Sequence, residues 1–179
     1  MTTPDVALPL PTPPEVLLDR LQTLGVDYSL HHHKPLFTVA DGLEIEARNP
    51  GRHCRNLFVR DKKEKMFLVT ALNETALDLK KLAPAMAADR LSFGSPDRLW
   101  RMLGVRPGSV CPFAIMNAPV GEVRLVLDAE MMRQERINFH PLDNTMTLGL
   151  SPQDLLKFVD STGHTPHILE MGPLAPEKE

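Results

Sequence analysis

Residues 56–72, NLFVRDKKEKMFLVTAL, consist of two apolar runs separated by a short charged segment. The runs at 56–60 and 66–72 carry Phe, Val and Thr, which are common in strands, and they flank the charged residues Asp61 to Lys65. We therefore predict that the two runs are strands joined by a hairpin loop.

Working outward from this hairpin, the chain contains six more strand-like runs. They are Arg90 to Phe93, Phe113 to Asn117, Val123 to Asp128, Ile137 to His140, Thr145 to Leu150 and His167 to Met171. Strand-like and helix-like segments are interspersed along the chain, which predicts a mixed sheet with helices around it, an α/β (α+β) fold.

Helix signals occur at four places between these runs. The first helix is predicted to start after Thr12, which forms a capping box with Glu15, and to end before Gly25. Shorter or similar helices are predicted from Asp78 to Met86, from Ser95-Pro96 to Gly104 and from Ser151-Pro152 to Gly163.

Composition and charge exclude several classes of protein. A length of 179 residues with 42% hydrophobic and 24% charged residues is ordinary for one globular domain. No apolar run approaches the roughly 20 residues of a membrane-spanning helix. A net charge of −3 argues against nonspecific nucleic-acid coating, so neither a membrane nor DNA is expected as a partner.

The two cysteines and the absence of nucleotide-binding motifs argue against further classes of protein. Cys54 and Cys111 show neither a CxxC spacing nor the density of a disulfide scaffold, and no secretion signal is visible. The chain lacks GxGxxG and GxxxxGK[ST] motifs, so we expect no nucleotide cofactor. These features predict a cytoplasmic protein.

Three short segments place polar groups and a Gly or Pro beside strand-like apolar residues. They are 51–58 (GRHCRNLF), 108–113 (GSVCPF) and 138–142 (NFHPL). Strand ends and tight loops of this kind carry chemistry on a rigid scaffold. We expect the functional site to be built from them.

Together with other motifs, these segments resemble the YbaK-like aminoacyl-tRNA editing family, in its free-standing alanyl-tRNA(Pro) deacylase branch of ProX-like proteins. The resemblance implies a mixed, barrel-like β-sheet with surrounding helices over residues 13–172. The proline-rich composition of the N-terminus predicts a flexible arm at 1–12, and a frayed tail is predicted at 173–179. The resemblance rests on residues 33–39 (HKPLFTV), 56–61 (NLFVRD), 78–82 (DLKKL), 91–94 (LSFG), 103–110 (LGVRPGSV) and 138–142 (NFHPL).

The resemblance also implies an activity and its partners. The expected reaction is hydrolysis of the ester that joins alanine to tRNA(Pro), without a metal, another cofactor or a covalent nucleophile. A separate hydrolytic pocket is useful because a synthetase site large enough for proline also admits the smaller alanine. Each missing methylene lowers the binding free energy of alanine by only about 1 to 3 kcal/mol. The implied partners are the acceptor end of aminoacyl-tRNA(Pro) and, as an open alternative, prolyl-tRNA synthetase.

Site residues follow from matching the family motifs. The implied catalytic residues are Arg55, Asn56, Gly108 and His140, and the GxxxP loop adds Ser109, Val110, Cys111 and Pro112 around the aminoacyl end. The expected pocket walls are Leu36, Phe37, Ile115 and Phe139, and each of them could instead be plain core. We expect the acceptor stem to contact Arg52, Arg60, Lys62, Lys63 and Lys65, although residues 61–65 could simply form a solvated turn.

Arg55 departs from the family pattern, which usually has Lys at this position. Charge is kept but a compact ammonium is replaced by a planar fork, so reduced or redirected activity is expected. Two other functions therefore stay open: a noncatalytic module that binds aminoacyl ends, and a deacylase for another small residue such as serine or cysteine.

The candidate residues also have structural explanations. Asn56 could close a turn, His140 could be a buried histidine satisfied by backbone, and Gly108 with Pro112 could only shape a loop. Cys111 has no evident base or helix N-terminus to activate it as a nucleophile. The adjacent histidines 31–33 alternate faces along a strand end, which disfavours a shared metal ion.

Overall fold

The computed structural model describes residues 8–36 and 39–172, except for the side chain of Val39. Eight strands are present in this part of the chain: β1 (Ser29–His32), β2 (Arg52–Arg60), β3 (Met66–Leu72), β4 (Ser92–Phe93), β5 (Val123–Asp128), β6 (Ile137–Phe139), β7 (Met146–Leu150) and β8 (His167–Leu169). The five α-helices described are α1 (Pro14–Thr23), α2 (Val39–Arg48), α3 (Leu79–Ala85), α4 (Pro96–Leu103) and α5 (Pro152–Ser161). None of the described helices is both long and apolar enough to cross a membrane.

The predicted hairpin is confirmed as the antiparallel pair β2 and β3. Its loop is closed by Asp61, whose Oδ1 accepts the backbone N–H groups of Lys63 and Lys65 at 2.9 Å each. A carboxylate that accepts two such bonds makes a tight turn out of an otherwise charged and soluble segment.

The strands form one mixed sheet in the order β1-β7-β6-β2-β3-β5-β8, with β4 pairing the outer end of β2. The pairs β2 with β6, β3 with β5 and β5 with β8 are parallel, whereas the other pairs are antiparallel. The predicted α/β (α+β) class, a mixed sheet with helices around it, is confirmed.

Strand β3 is buried on both faces, because its side chains alternate between the two faces and each face packs on a different core. Leu68 and Leu72 belong to a large core with α1, α4 and α5, while Phe67 and Val69 belong to a smaller core with α3. Three rings brace the larger core: Phe113 lies edge-on to Phe139 and Phe158, with centroids 5.7 and 5.4 Å apart. These ring contacts hold the core-facing side of β6, the strand that ends at Phe139.

The predictions for the helices beginning at Ser95-Pro96 and Ser151-Pro152 are confirmed down to their caps. The Ser95 hydroxyl accepts the N–H of Arg98, and the Ser151 hydroxyl accepts the N–H of Asp154, each at 3.1 Å. The capping box proposed for α1 is wrong, because the Thr12 hydroxyl donates to Asn117 Oδ1 at 2.5 Å instead. Thr12 therefore bonds to a residue distant in sequence instead of to the first turn of α1.

Two other predictions need correction, and one helix was missed. The run at 113–117 is not a strand but part of a 3₁₀ helix, Pro112–Asn117, because a short and mostly apolar run fits either element and Pro112 favours a helical start. Helix α2 was not predicted. Strand β2 begins at Arg52, four residues earlier than predicted from Asn56, because its first residues pair with β6.

Candidate functional site

The early start of β2 brings two of the three motif segments side by side. In the parallel pair β2 and β6, Arg52 lies opposite Ile137 and His53 lies opposite Asn138. The strand can start there because Gly51 adopts φ +100° with its α-carbon against Arg136, where an added Cβ would lie 2.8 Å from the carbonyl oxygen. Only glycine fits both requirements.

These paired strand ends and helix α2 enclose a cleft with a volume of about 160 Å³. The strands and the residue after β6 contribute His53, Cys54, Asn56, Asn138, Phe139 and His140. Helix α2 contributes Gly42, Ile45 and Glu46, and the remaining wall consists of Leu36, Asn73 and Thr147. Of the residues proposed from sequence, the structure therefore brings together Asn56, His140, Leu36 and Phe139.

The Asn56 amide has a fixed orientation in this cleft. Its Oδ1 accepts a hydrogen bond from the hydroxyl of Thr70, which is fully buried on the neighbouring strand, at 2.7 Å. Among the described residues nothing bonds to Asn56 Nδ2. The amide is therefore held with a donor available to a ligand oxygen.

His140 has a fixed tautomer, and its Nε2 has no partner among the described residues. Its Nδ1 donates to the carbonyl oxygen of Met146 at 2.9 Å, which leaves the lone pair on Nε2 in the neutral ring. Burial lowers the pKa of His140 below its ordinary value of 6.5, and the nearby His33 and His53 act in the same direction. The ring can accept a hydrogen bond from water near neutral pH.

A second histidine supports the same wall. The His33 ring lies edge-on to His140 with centroids 6.1 Å apart, and its Nε2 lies 2.9 Å from the hydroxyl of Thr147. Its Nδ1 lies 2.8 Å from the Lys34 carbonyl oxygen, so Nδ1 donates there and Nε2 accepts from Thr147 in the neutral ring. His31 and His32 are exposed, and no metal-holding group of three His, Cys, Asp or Glu occurs in the described ranges.

Helix α2 is tied across the cleft to the end of β3. The amide of Asn73 donates to Glu46 Oε1 at 2.8 Å, and the Asn73 backbone N–H donates to the His53 carbonyl oxygen at 3.0 Å. Asn73 thus connects the helix wall of the cleft to its strand wall.

Residues 108–112 of the third motif segment do not line the cleft. Cys111 is fully buried, and its sulfur accepts the backbone N–H of Leu142 in the loop that follows His140. Asn144, from the same loop, bonds to the Leu36 carbonyl oxygen at 2.8 Å and lies 3.8 Å from where a Cβ on Gly108 would be. The loop containing Gly108 therefore packs against the chain that holds His140 and Leu36.

The other members of that segment are structural in their present contacts. Ser109 is buried with its N–H bonded to the Arg106 carbonyl oxygen, Val110 packs on the larger core, and Pro112 starts the 3₁₀ helix that buries Ile115. Burial raises the pKa of the Cys111 thiol to about 11, so its thiolate is scarce at neutral pH.

Arg55 lies next to Asn56 on β2 but does not line the cleft. Its Nη2 donates to the Thr75 carbonyl oxygen at 2.6 Å, in the turn after β3. On its other side, Cys54 does line the cleft, and burial raises the pKa of its thiol well above the ordinary value.

The cations proposed to contact tRNA are divided between the two ends of β2. Arg52 lies beside the cleft and pairs with Glu74 at 3.1 Å. Arg60 and the loop lysines lie at the far end, with Asp61 about 17 Å from Asn56 at roughly 3.3 Å per residue. Arg60 pairs with Glu64 and Lys63 with Asp89, whereas Lys62 and Lys65 have no ion pair among the described residues.

A second groove of about 380 Å³ adjoins the cleft and shares Leu36 and Ile45 with it. Its walls include two cations, Lys34 and Arg48, two carboxylates, Asp41 and Glu44, and the side chains of His32 and His33. Arg48 pairs with Glu44 on the exposed face of α2. The groove offers an open path of mixed charge to the cleft.

Several cleft residues were missed from sequence, namely Gly42, Ile45, Glu46, His53, Cys54, Asn73, Asn138 and Thr147. A signal existed for His53, Cys54 and Asn138, because they lie inside the motif segments. No comparable signal marked α2, Asn73 or Thr147, whose positions depend on tertiary pairing. Phe37, proposed as a pocket wall, lies outside the described residues.

Comparison with known proteins gives a consistent result. The family model described as "Aminoacyl-tRNA editing domain" matches residues 33–158. The "Prolyl-tRNA editing protein ProX" of Acetoanaerobium sticklandii is 34% identical over 158 residues, covering 88% of this chain and 96% of that protein. The "Prolyl-tRNA synthetase associated domain-containing protein 1" of Bos taurus is 35% identical over 158 residues, covering 86% and 92%.

Solved structures show the same fold. A proposed trans-editing enzyme for prolyl tRNA synthetase superimposes with a TM-score of 0.67 at 18% identity, covering 89% of this chain and 97% of that one. At that identity the likeness concerns the fold alone.

Proposed function

The chain belongs to the aminoacyl-tRNA editing domain family, and from that premise we propose that it deacylates mischarged alanyl-tRNA(Pro) in trans. The proposal is carried by one observation: a small cleft holds an oriented amide donor at Asn56 and a neutral imidazole acceptor at His140. Both groups are fixed by buried or backbone partners before any ligand arrives.

These two groups suit hydrolysis by water. The water oxygen bonds to the ester carbonyl carbon, the bond from that carbon to the ribose oxygen breaks, and the ribose oxygen takes up the proton that the water loses. His140 Nε2 orients the water, while Asn56 Nδ2 donates to an oxygen of the aminoacyl ester. An activated ester requires mainly such positioning, and one preorganised donor contributes about 10²- to 10³-fold.

The cleft supports a small acyl group. Its volume is about 160 Å³, Phe139 and Ile45 line it, and Asn73 bridges the strand wall to α2. Alanine fits such a space, and we assign the rejection of proline, which is larger by two ring methylenes, to Phe139 and Ile45. A synthetase site large enough for proline cannot strongly reject the smaller alanine.

The RNA backbone reaches the cleft along the adjoining groove, beside Lys34 and Arg48. Binding is expected to weaken as salt concentration rises, since phosphate contacts release counterions. Aminoacyl-tRNA is therefore the proposed partner, with prolyl-tRNA synthetase as the enzyme whose errors are corrected.

A panel of aminoacyl-tRNAs tests the function in single-turnover assays. Wild type should hydrolyse alanyl-tRNA(Pro) fastest and spare prolyl-tRNA(Pro), and Asn56→Ala should lower the alanyl rate by about 10²-fold. Preference for seryl or cysteinyl esters would assign the protein to a related deacylase. Retained binding without hydrolysis of any ester would identify a noncatalytic module, the alternative raised by Arg55.

A further inference from the structure

Glu46 gives the cleft a charge that the hydrolytic step does not use. Of the described residues that line the cleft, Glu46 is the one carboxylate, and none is Lys or Arg. We infer that Glu46 binds the α-ammonium group of the aminoacyl ester and thereby selects this ester over esters that lack the group. This inference rests on the proposed function and names a selection made by the same cleft.

One oxygen of Glu46 is already held in place. Its Oε1 accepts the amide of Asn73, which is itself anchored through its backbone N–H to the His53 carbonyl oxygen. No described residue bonds to Oε2 or forms an ion pair with this carboxylate. The side chain is thus oriented by a neutral partner and keeps its charge for a cationic ligand.

The surrounding charges favour the same assignment. The other acids near this end of the sheet have protein partners: Glu44 pairs with Arg48 at 2.7 Å, and Glu74 pairs with Arg52 at 3.1 Å. Burial keeps His140 neutral near pH 7, so the cleft does not supply its own imidazolium at that position. The α-ammonium of an alanyl ester supplies the missing positive charge.

Recognition by Glu46 distinguishes esters that differ in the charge of the α-substituent, which recognition by size alone does not do. A lactyl ester replaces the α-ammonium group of an alanyl ester with a hydroxyl and is nearly the same size. A pocket that recognises only the methyl group and the ester leaves only the intrinsic difference in reactivity between the two esters, of which the alanyl ester is the more reactive. A pocket with Glu46 in the assigned role prefers the alanyl ester by a further factor of about 10 to 100, the range of one charge-assisted hydrogen bond.

The test compares alanyl- and lactyl-tRNA(Pro) with wild type and with Glu46→Gln under single-turnover conditions. Gln keeps an oxygen that can accept the Asn73 amide and removes only the charge. Glu44→Gln is the matched control for ester preference, since Glu44 lies on the same helix, is exposed and lines the adjoining groove but not the cleft.

Wild type should prefer the alanyl ester, and Glu46→Gln should lose most of that preference by slowing alanyl hydrolysis while leaving the lactyl rate unchanged. Glu44→Gln should keep the wild-type preference. Equal slowing of both esters by Glu46→Gln, or an unchanged preference, would overturn the inference and leave the deacylase function standing. Failure of wild type to hydrolyse either ester would overturn both.

Discussion

His140 shows how a single side chain can be prepared for chemistry by its backbone. The bond from Nδ1 to the Met146 carbonyl selects the tautomer, and burial lowers the pKa of the ring. The motif marked this histidine from sequence, but its tautomer and neutral state follow from contacts that only folding creates.

The lowered pKa of His140 predicts a pH dependence with a definite sign. Protonation removes the acceptor lone pair, so deacylation should be constant above the ordinary histidine pKa of 6.5 and fall as pH drops through the lower pKa of the folded protein. Stability from burying this neutral ring should change in the same direction, being full above 6.5 and lost below.

Single-turnover rates between pH 5 and 8 check this prediction. His140→Asn should be slow with little pH dependence, and His31→Asn, which changes an exposed histidine, should keep the wild-type profile. A His140→Asn protein with the full wild-type acid limb would show that another group is responsible.

Arg55 gives a second prediction at the residue scale. Its guanidinium is anchored to the Thr75 carbonyl oxygen, whereas a lysine would place one compact ammonium on a flexible stem. We expect Arg55→Lys to deacylate alanyl-tRNA(Pro) faster, by up to about tenfold for roughly one hydrogen bond gained in the bound state. Arg55→Gln controls for loss of charge, and a lysine variant no faster than the parent would remove the expected penalty of arginine.

The elements that form the cleft were predicted unevenly. Strand β2 was recognised, but its first four residues were not, because their partner is the distant strand β6. The apolar run at 113–117 fits a strand or a buried 3₁₀ turn equally well by pattern, and its packing decided the outcome. Helix α2 has too few apolar residues for the sequence pattern to predict that one of its faces is buried.

The start of β2 is predicted to depend on Gly51. Gly51→Ala should destabilise the protein by more than the about 1–2 kcal/mol that a left-handed backbone alone costs a residue with a Cβ, since that Cβ would lie 2.8 Å from the Arg136 carbonyl oxygen. Gly121→Ala is the control, because Gly121 has φ +91° but nothing within 4 Å of an added Cβ.

Urea unfolding of the two variants measures this difference. Equal losses in the free energy of unfolding would mean that the close approach to Arg136 is unimportant and that only the backbone conformation matters.

Helix α2 is predicted to set the size of the acyl group. Gly42 lines the cleft, and a Cβ there meets nothing within 4 Å, so Gly42→Leu adds bulk where the cleft is open. The helix itself should not suffer, since leucine has a helix propensity about 0.8 kcal/mol better than glycine. Alanyl-tRNA(Pro) hydrolysis should fall by at least about tenfold with the thermal midpoint unchanged or raised.

The control for this change is Ala47→Leu, on an exposed position of the same helix that does not line the cleft. It should hydrolyse the alanyl ester at the wild-type rate. A Gly42→Leu protein as active as the control would show that this side of the cleft does not face the acyl group.

At the scale of the whole molecule, the sequence sufficed for the fold class and for most of the strands and helices. Local signals such as the Ser95 and Ser151 caps and the charged hairpin loop determine these elements. The cleft was only partly predictable, because it depends on a parallel pairing between β2 and β6 and on the Asn73 bridge to α2. Contacts between distant residues leave little trace in a single sequence.

Binding of a nonhydrolysable substrate analogue tests whether the cleft between β2, β6 and α2 is the functional site. Alanine joined to adenosine through a 3′-amide should shift the nuclear magnetic resonance signals of His53, Asn56 and His140 in the isotope-labelled protein, and adenosine alone should shift them less. Shifts confined to the hairpin loop at 61–65, or to any surface away from the cleft, would contradict the account.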